Sequence, residues 1–201
     1  MGDSTFLVGL DLGQKGDYTA IAVVEHWIEF QHGVDLVTYQ RLQAERLDVR
    51  HLDRIPLGTS YTAIVERVSD MMRSAELRRR SVLLVDATGV GAPVVDMLRR
   101  APLDSPVMGV TITGGNRAVR RRDGWRVPKR DLVTCLQVAL EVGMLRMPAE
   151  LAMGRELAGE LTGMRVRFTG SGHDTYGAGR SGSHDDLVLA LGLACWGKRF
   201  G

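Results

Sequence analysis

Three apolar segments that each meet an aspartate are the feature that most constrains this chain. One apolar run ends at Asp11, a second ends at Asp86, and a third begins directly after Asp185 and Asp186. A buried carboxylate is costly unless it meets water, a cation or a hydrogen-bond donor. Carboxylates that converge repel each other, and a divalent cation relieves that repulsion. The pattern therefore predicts a metal site where these acids meet.

Length and composition favour one globular domain over residues 1–201. Hydrophobic residues make up 44% of the chain and charged residues 25%, which suits a single core. The net charge of +2 does not by itself indicate a nucleic-acid partner. Cys135 and Cys195 lie in apolar stretches, which favours free thiols in a reducing cytoplasm. Neither a signal peptide nor a run of about 18 apolar residues is visible, so we expect a cytoplasmic protein without a membrane partner.

The order of predicted elements indicates an α/β domain with a mixed central sheet flanked by helices. Short turns separate the first three predicted strands, which favours a three-strand antiparallel meander. Residues 82–86 lack alternation, which is typical of a parallel strand buried on both faces. Segment 46–58 is polar and is expected to be irregular. The predicted strands are 6–12, 19–27, 34–42, 82–86, 107–113, 165–169 and 175–178, and the predicted helices are 59–77, 90–100, 128–142, 149–161 and 185–197.

The carboxyl ends of neighbouring strands are the usual place for a site in an open α/β sheet. Asp11 and Asp86 lie at such ends, so they can share a metal ion if their strands are adjacent. The last helix would then present Asp185 or Asp186 from its first turn, one as a cap and the other as a ligand. Carboxylate ligands favour Mg²⁺ or Mn²⁺, and two such ions can hydrolyse a phosphodiester.

Three motifs, taken in order, carry a resemblance to a known family. They are Gly-Leu-Asp-Leu-Gly at 9–13, Val-Asp-Ala-Thr-Gly at 85–89 and Gly-Ser-His-Asp-Asp-Leu at 182–187. With these motifs the chain resembles the C-terminal nuclease domain of the large terminase subunit of tailed bacteriophages. That resemblance implies a ribonuclease H-like fold and a metal-dependent endonuclease that cuts concatemeric viral DNA during packaging, in the host cytoplasm.

The resemblance also implies roles for individual residues. Asp11, Asp86 and Asp186 correspond to the metal-binding catalytic triad, with Asp11 bridging two Mg²⁺ or Mn²⁺ ions. Asp185 is similar to the acid that often accompanies this triad. Asp17, in the first turn, matches an additional acidic position that can bind a second ion or its waters.

A complete large terminase carries an ATPase motor before its nuclease. Here the strand that holds Asp11 begins near residue 6, so we expect no ATPase motor domain within residues 1–201. The partners implied by the resemblance are double-stranded DNA, a terminase ATPase domain or subunit, and the portal.

Residues 117–130 form the most basic segment of the chain. Such a segment favours contacts with the DNA backbone, which depend on salt and carry little sequence information. Trp125 within it is expected either to pack or to stack. We also expect this segment and the glycine-rich residues 170–182 to gate access to the acids. The predicted DNA-binding residues are Arg117, Arg120, Arg121, Arg122, Arg126, Lys129 and Arg130.

Three other functions remain open at this point. A Holliday-junction resolvase has the same kind of fold and would cut branched DNA preferentially. An actin-like ATPase also has an Asp-Leu-Gly phosphate loop, but it needs two related domains, for which 201 residues leave no room. A catalytically silent DNA-binding or portal-docking module would bind DNA without metal-dependent cleavage.

Overall fold

The computed structural model describes residues 4–13, 16–34, 39, 41–89, 91–168, 174–178 and 184–200, without the side chains of 165–168 and 174–178. The predicted glycine-rich gate at 170–182 therefore lies largely outside the described residues. The strands are β1 (Thr5–Asp11), β2 (Thr19–Val34), β3 (Arg41–Ile55), β4 (Ser81–Asp86), β5 (Val107–Thr113), β6 (Val119–Arg121), β7 (Gly124–Pro128), β8 (Leu145–Arg146), β9 (Met164–Phe168) and β10 (Asp174–Ala178). The helices are α1 (Tyr61–Met72), α2 (Gly91–Arg100), α3 (Lys129–Glu141), α4 (Gly154–Gly163) and α5 (Asp186–Trp196), followed by a 3₁₀ turn at Gly197–Phe200.

A mixed sheet forms the centre of the molecule. In the described part of the chain eight strands pair in the order β6-β7-β5-β4-β1-β2-β3-β8, and β9 and β10 form a separate hairpin. β1, β2 and β3 make the predicted antiparallel meander, and β4 joins β1 in parallel. β5 and β7 extend the parallel part. The predicted fold class is thus confirmed, including the direct adjacency of β1 and β4.

The third strand departs from the sequence prediction. β2 continues through the predicted turn at residues 31–33, and β3 occupies Arg41–Ile55, most of which the sequence indicated to be irregular. Polar side chains are tolerated in this pair because ion pairs link residues of the two strands that are near each other without being directly opposite. Arg50 lies 2.7 Å from Glu25 on the neighbouring strand, and such cross-strand pairs stabilise an antiparallel ladder.

Helices cover both faces of the sheet. Successive side chains of a strand point to opposite faces, and on β1 Val8 and Leu10 pack with α1 and α2, whereas Leu7 packs with α5. α5 is buried along its whole length, as its uniformly apolar sequence predicts. No helix among the described residues is both long and apolar enough to cross a membrane.

Candidate functional site

The period of two along the strands places Asp11 and Asp86 on the same face of the sheet. Asp11 is four residues after Leu7 and so points to the same face of the sheet, where Leu7 packs against α5. Asp86 is two residues after Leu84 and also points to that face, where Leu84 packs beside Trp196 at the end of α5. Since Leu10 of β1 pairs with Val85 of β4, the two aspartates that follow are neighbours. Their carboxyl groups are close enough to share a hydrogen bond.

A close approach between β1 and α5 brings the third acid to this pair. A Cβ atom at Gly9 would lie 1.9 Å from the carbonyl oxygen of Ala190, so only glycine lets the helix cross the strand there. Asp186 begins α5 one turn before Ala190 and lies over the ends of the strands, where it is 5% exposed. The structure therefore brings together Asp11, Asp86 and Asp186, the three residues predicted as a triad.

The electrostatics of Asp11 and Asp86 reflect this crowding. Burial raises the pKa of Asp11 well above its ordinary value, and the negative charges of Asp86, Asp186 and Asp185 raise it further. Burial also raises the pKa of Asp86, although hydrogen bonds from Thr88 partly oppose the effect. The Thr88 backbone N–H donates to Asp86 Oδ1 over 2.8 Å, and the Thr88 hydroxyl donates to the same oxygen. These bonds fix the orientation of the Asp86 carboxyl group.

Asp186 is perturbed in the same direction. Burial and the charge of Glu160 raise its pKa to about 6, and Arg54 and His184 partly oppose the shift. The Nδ1 atom of His184 lies 3.6 Å from Asp186 Oδ2. Neither that contact nor the 3.9 Å approach of Arg54 Nε is a hydrogen bond. Three carboxyl groups with raised pKa values in one place are typical of a functional site.

The two remaining predicted acids lie in different situations. Asp185 occupies the N-cap position of α5, but its side chain makes no capping hydrogen bond. It instead accepts a hydrogen bond from Lys129 Nζ over 2.6 Å, at the edge of the cluster. Asp17 is exposed in the turn after β1, and the described residues give it no hydrogen bond to the other acids. It lines a separate cavity of about 290 Å³ with Ser60 and Tyr61.

The donor chemistry of the cluster fits a hard divalent cation, although the side chains do not form a ligand shell. Within the described ranges, no group of three His, Cys, Asp or Glu side chains is placed to hold a metal ion. Asp11 and Asp86 face each other, and Asp185 is engaged by Lys129. However, Asp186 Oδ2 is buried without a hydrogen-bond partner in the described part of the chain. A cation bound beside this oxygen would relieve both its desolvation and the mutual repulsion of the acids.

The basic segment forms two strands, β6 and β7, rather than an irregular loop. β7 runs parallel to β5, so its C-terminal end lies at the same end of the strands as the acids. The β6–β7 turn lies at the other end of β7, about 13 Å from its C-terminal end, because β7 extends over four residue-to-residue steps. Glycine is required at this turn because Gly124 has φ +154° and approaches the Gly109 carbonyl. The segment therefore spans the height of the sheet instead of forming one patch beside the acids.

The seven predicted DNA-binding residues divide between two environments. Lys129 and Arg130 follow β7 at the acidic edge, where Lys129 pairs with Asp185 and Arg130 donates to the carbonyl of Asn116. The other five are exposed to solvent, namely Arg117, Arg120, Arg121, Arg122 and Arg126. Three of these five line a concave cavity of about 590 Å³ beside α2, together with Arg99.

Trp125 is half-buried and packs against the core. Its ring lies 5.5 Å from the ring of Trp196 and 5.8 Å from that of Phe200, measured between centroids. The first of these contacts is edge to face, a favourable aromatic geometry. Of the two roles that the sequence left open for Trp125, the structure supports packing.

Two residues near the acids were not identified from the sequence. Arg54 extends from β3 and pairs with Glu160 of α4. Glu160 carried a usable signal, because it follows the buried Leu157 by three positions and so lies on the buried face of its helix. The sequence carried no such signal for Arg54, because this residue falls in segment 46–58, which was predicted to be irregular.

The chain is similar in structure to nuclease domains of phage large terminases. The large terminase nuclease from thermophilic phage G20c, solved with bound magnesium, has 22% identity over 96% of this chain and 82% of its own, with a TM-score of 0.63. The corresponding domain of gp2 from bacterial virus Sf6, a mutant solved with manganese and beta-thujaplicinol, has 15% identity over 97% of this chain and 89% of its own, with a TM-score of 0.64. The HK97 bacteriophage large terminase has 13% identity and a TM-score of 0.58, and the match covers 96% of this chain and 39% of that one.

Comparison of sequences adds nothing to this result, because neither a protein-family model nor a curated protein sequence matches the chain. The structural similarity extends over nearly all of the chain in each case. This protein therefore has the ribonuclease H-like fold of large terminase nuclease domains.

Proposed function

We propose that this protein is a metal-dependent endonuclease that hydrolyses double-stranded DNA, and that it cuts concatemeric viral DNA during genome packaging. The observation that carries the proposal is the meeting of Asp11, Asp86 and Asp186 on one face of the sheet. The fold in which they meet is that of terminase nuclease domains, some of which were solved with magnesium, cobalt or manganese. A fold hosts many functions, so the proposal depends on the acids and not on the fold alone.

The three aspartates would hold two Mg²⁺ or Mn²⁺ ions, with Asp11 between Asp86 and Asp186. When bound, such ions activate water and stabilise the leaving oxygen of a phosphodiester. The chain itself supplies the orientation. Thr88 fixes the carboxyl group of Asp86, and the crossing at Gly9 fixes the distance of Asp186 from β1. The roles of Asp185 and Asp17 are secondary, because one is paired with Lys129 and the other is exposed.

DNA would reach the acids along the edge of the sheet that ends in β6 and β7. The five exposed arginines of this edge provide contacts to phosphates, which hold DNA without reading its sequence. We accordingly propose low sequence preference for cleavage. In the packaging machine the nuclease would act beside a terminase ATPase domain or subunit, and next to the portal.

The test is cleavage of supercoiled plasmid by the purified protein with Mg²⁺, Mn²⁺, Ca²⁺ or EDTA. We expect nicking and linearisation with Mg²⁺ or Mn²⁺, and loss of both in Asp11→Asn and Asp186→Asn. The matched control is Asp70→Asn, because the Asp70 side chain is 74% exposed on α1 and its partner is Arg73. Cleavage that persists in Asp11→Asn would contradict the proposal.

The same assay separates the alternatives. A four-way junction cut in preference to a matched linear duplex would indicate a resolvase. DNA binding without cleavage under any of the metals would indicate a binding or docking module.

A further inference from the structure

One row of residues crosses four strands at the level of the acids. Asp86 of β4 lies beside Asp11 of β1, Asp11 pairs with Ala20 of β2, and Ala20 pairs with Arg54 of β3. Strand alternation places these side chains on the face covered by α5, since Ala20 packs in that core. Only the methyl group of Ala20 stands between Asp11 and Arg54 in this row. Asp186, in the first turn of α5, approaches Arg54 to 3.9 Å.

Glu160 anchors the guanidinium of Arg54 on this face. Arg54 Nη2 donates to Glu160 Oε1, and the second carboxylate oxygen of Glu160 accepts the backbone N–H of Val188 over 3.0 Å. Val188 lies in the first turn of α5, two residues after Asp186. Glu160 thus ties Arg54 to the turn of helix that presents Asp186.

Two buried polar atoms then face each other without being bonded. Arg54 Nε and Asp186 Oδ2 are 3.9 Å apart, and neither has a hydrogen-bond partner among the described residues. A buried donor and a buried acceptor that are both unsatisfied are each costly, and a shift of about 1 Å would join them. Tyr18 packs on the guanidinium group of Arg54, whose central carbon lies 5.2 Å from the centre of the Tyr18 ring.

We propose that Arg54, anchored by Glu160, is a positioning residue that donates to Asp186 Oδ2 when metal binds and turns the other carboxylate oxygen toward Asp11. This inference rests on the proposed function, since it assigns Asp186 as a metal ligand. Groups that hydrogen-bond to a ligating side chain orient it, and removing one typically costs 10–100-fold in metal affinity or activity.

The direction in which metal affinity changes when Arg54 is replaced by a neutral residue distinguishes a positioning role from simple charge balance. Removing a cation next to a metal site strengthens the attraction between the remaining acids and a divalent ion. If Arg54 contributed only its charge, its neutral variant would bind metal more tightly. If Arg54 orients Asp186, the neutral variant binds metal more weakly.

The experiment measures Mn²⁺ affinity by isothermal titration calorimetry without DNA, with plasmid cleavage as a second readout. We expect Arg54→Gln to weaken Mn²⁺ binding about 10–100-fold. Arg67→Gln is the matched control, because Arg67 forms a 2.6 Å ion pair with Asp53 but is 55% exposed and pairs with none of the four clustered aspartates. Its Mn²⁺ affinity should equal that of the unmodified protein.

A double variant tests whether weaker Mn²⁺ binding in Arg54→Gln comes only from leaving Glu160 without its partner. In Arg54→Gln with Glu160→Gln the Glu160 carboxylate is no longer left buried without its arginine partner, so the fold is relieved of the cost of that unpaired charge. Positioning predicts that Mn²⁺ binding stays weak in the double variant, whereas restored affinity would show that Arg54 only neutralises Glu160 and would overturn the proposal. Unchanged or tighter binding in Arg54→Gln would overturn it as well.

Arg54→Lys covers the case in which Arg54→Gln does not fold. Lysine keeps the charge but lacks the planar fork that reaches Glu160 and Asp186 together, so weak Mn²⁺ binding is expected again. Normal Mn²⁺ affinity in Arg54→Lys would refute the positioning role. If the unmodified protein binds Mn²⁺ but cuts no DNA, the proposed function fails while weakened binding in Arg54→Gln still supports the role of Arg54.

Discussion

Replacing Asp186 by asparagine should make the metal-free protein more stable while destroying its site. The pKa of Asp186 is raised from 3.8 to about 6 in the folded protein, chiefly by burial and by the charge of Glu160. Folding therefore opposes ionisation of this group. The gap of about two pH units corresponds to about 3 kcal/mol, at 1.36 kcal/mol per pH unit. Asparagine has nearly the same size and carries no charge, so it removes this cost.

The pH dependence follows from the sign of the shift. A carboxyl group whose pKa is raised on folding imposes no penalty below its unfolded value of 3.8. The penalty grows as the pH rises from 3.8 to about 6, and it is complete above that. We therefore expect Asp186→Asn to raise the free energy of unfolding by about 3 kcal/mol at pH 8 and by roughly half of that at pH 5.

Urea unfolding in EDTA, followed by tryptophan fluorescence, measures the gain. The control is Asp70→Asn, whose exposed carboxyl group should leave the free energy of unfolding within about 0.5 kcal/mol of the unmodified protein. Mg²⁺ should then stabilise the unmodified protein but not Asp186→Asn, because only a folded site binds the ion. An Asp186→Asn protein no more stable than the unmodified one at pH 8 would refute this account of the cluster.

Three further changes test other parts of the structure. Gly9→Ala should lower the free energy of unfolding in urea by about 1–3 kcal/mol because its Cβ would meet Ala190, whereas Gly159→Ala, with open space around it in α4, should raise it by up to about 1 kcal/mol. Arg120→Gln with Arg122→Gln should reduce the slope of log affinity against log salt for duplex DNA by about 1 for each phosphate that the protein no longer binds, and Arg73→Gln should leave that slope unchanged. Trp125→Leu should reduce stability by at least about 1 kcal/mol without altering DNA affinity, since Trp125 packs on Trp196.

The parts of the fold that the sequence predicted well are those whose hydrophobic pattern is local. β1, β4 and β5 are short apolar runs, and their bounds agree with the prediction to within one or two residues. The third strand of the meander was predicted at the wrong residues, because much of β3 is polar and is stabilised by ion pairs with β2 that have no local signature. β6 and β7 were missed because their arginines resemble a solvated loop, while the turn depends on a close approach of Gly124 to Gly109.

The same distinction applies to the site. Asp11 and Asp86 were predictable because each ends an apolar strand, and neighbouring parallel strands bring such ends together. Arg54 and Glu160 are separated by 106 positions in the chain, and only the folded sheet and α4 bring them into contact. Their contribution to Asp186 depends on strand register and on the tilt of a helix. Single-sequence patterns do not carry that information.

The acids are held together at a cost that α5 offsets. Without metal, ionised Asp186 opposes folding by about 3 kcal/mol at neutral pH. Leu187, Leu191 and Leu193 of the same helix are fully buried, and each contributes about 1.5–3 kcal/mol by leaving water. Together these leucines contribute more than the ionised Asp186 costs, so α5 holds a repelling carboxylate in place before any cation binds. For that reason a conservative truncation in α5, such as Leu191→Ala, should weaken Mn²⁺ binding at Asp186 in addition to lowering stability.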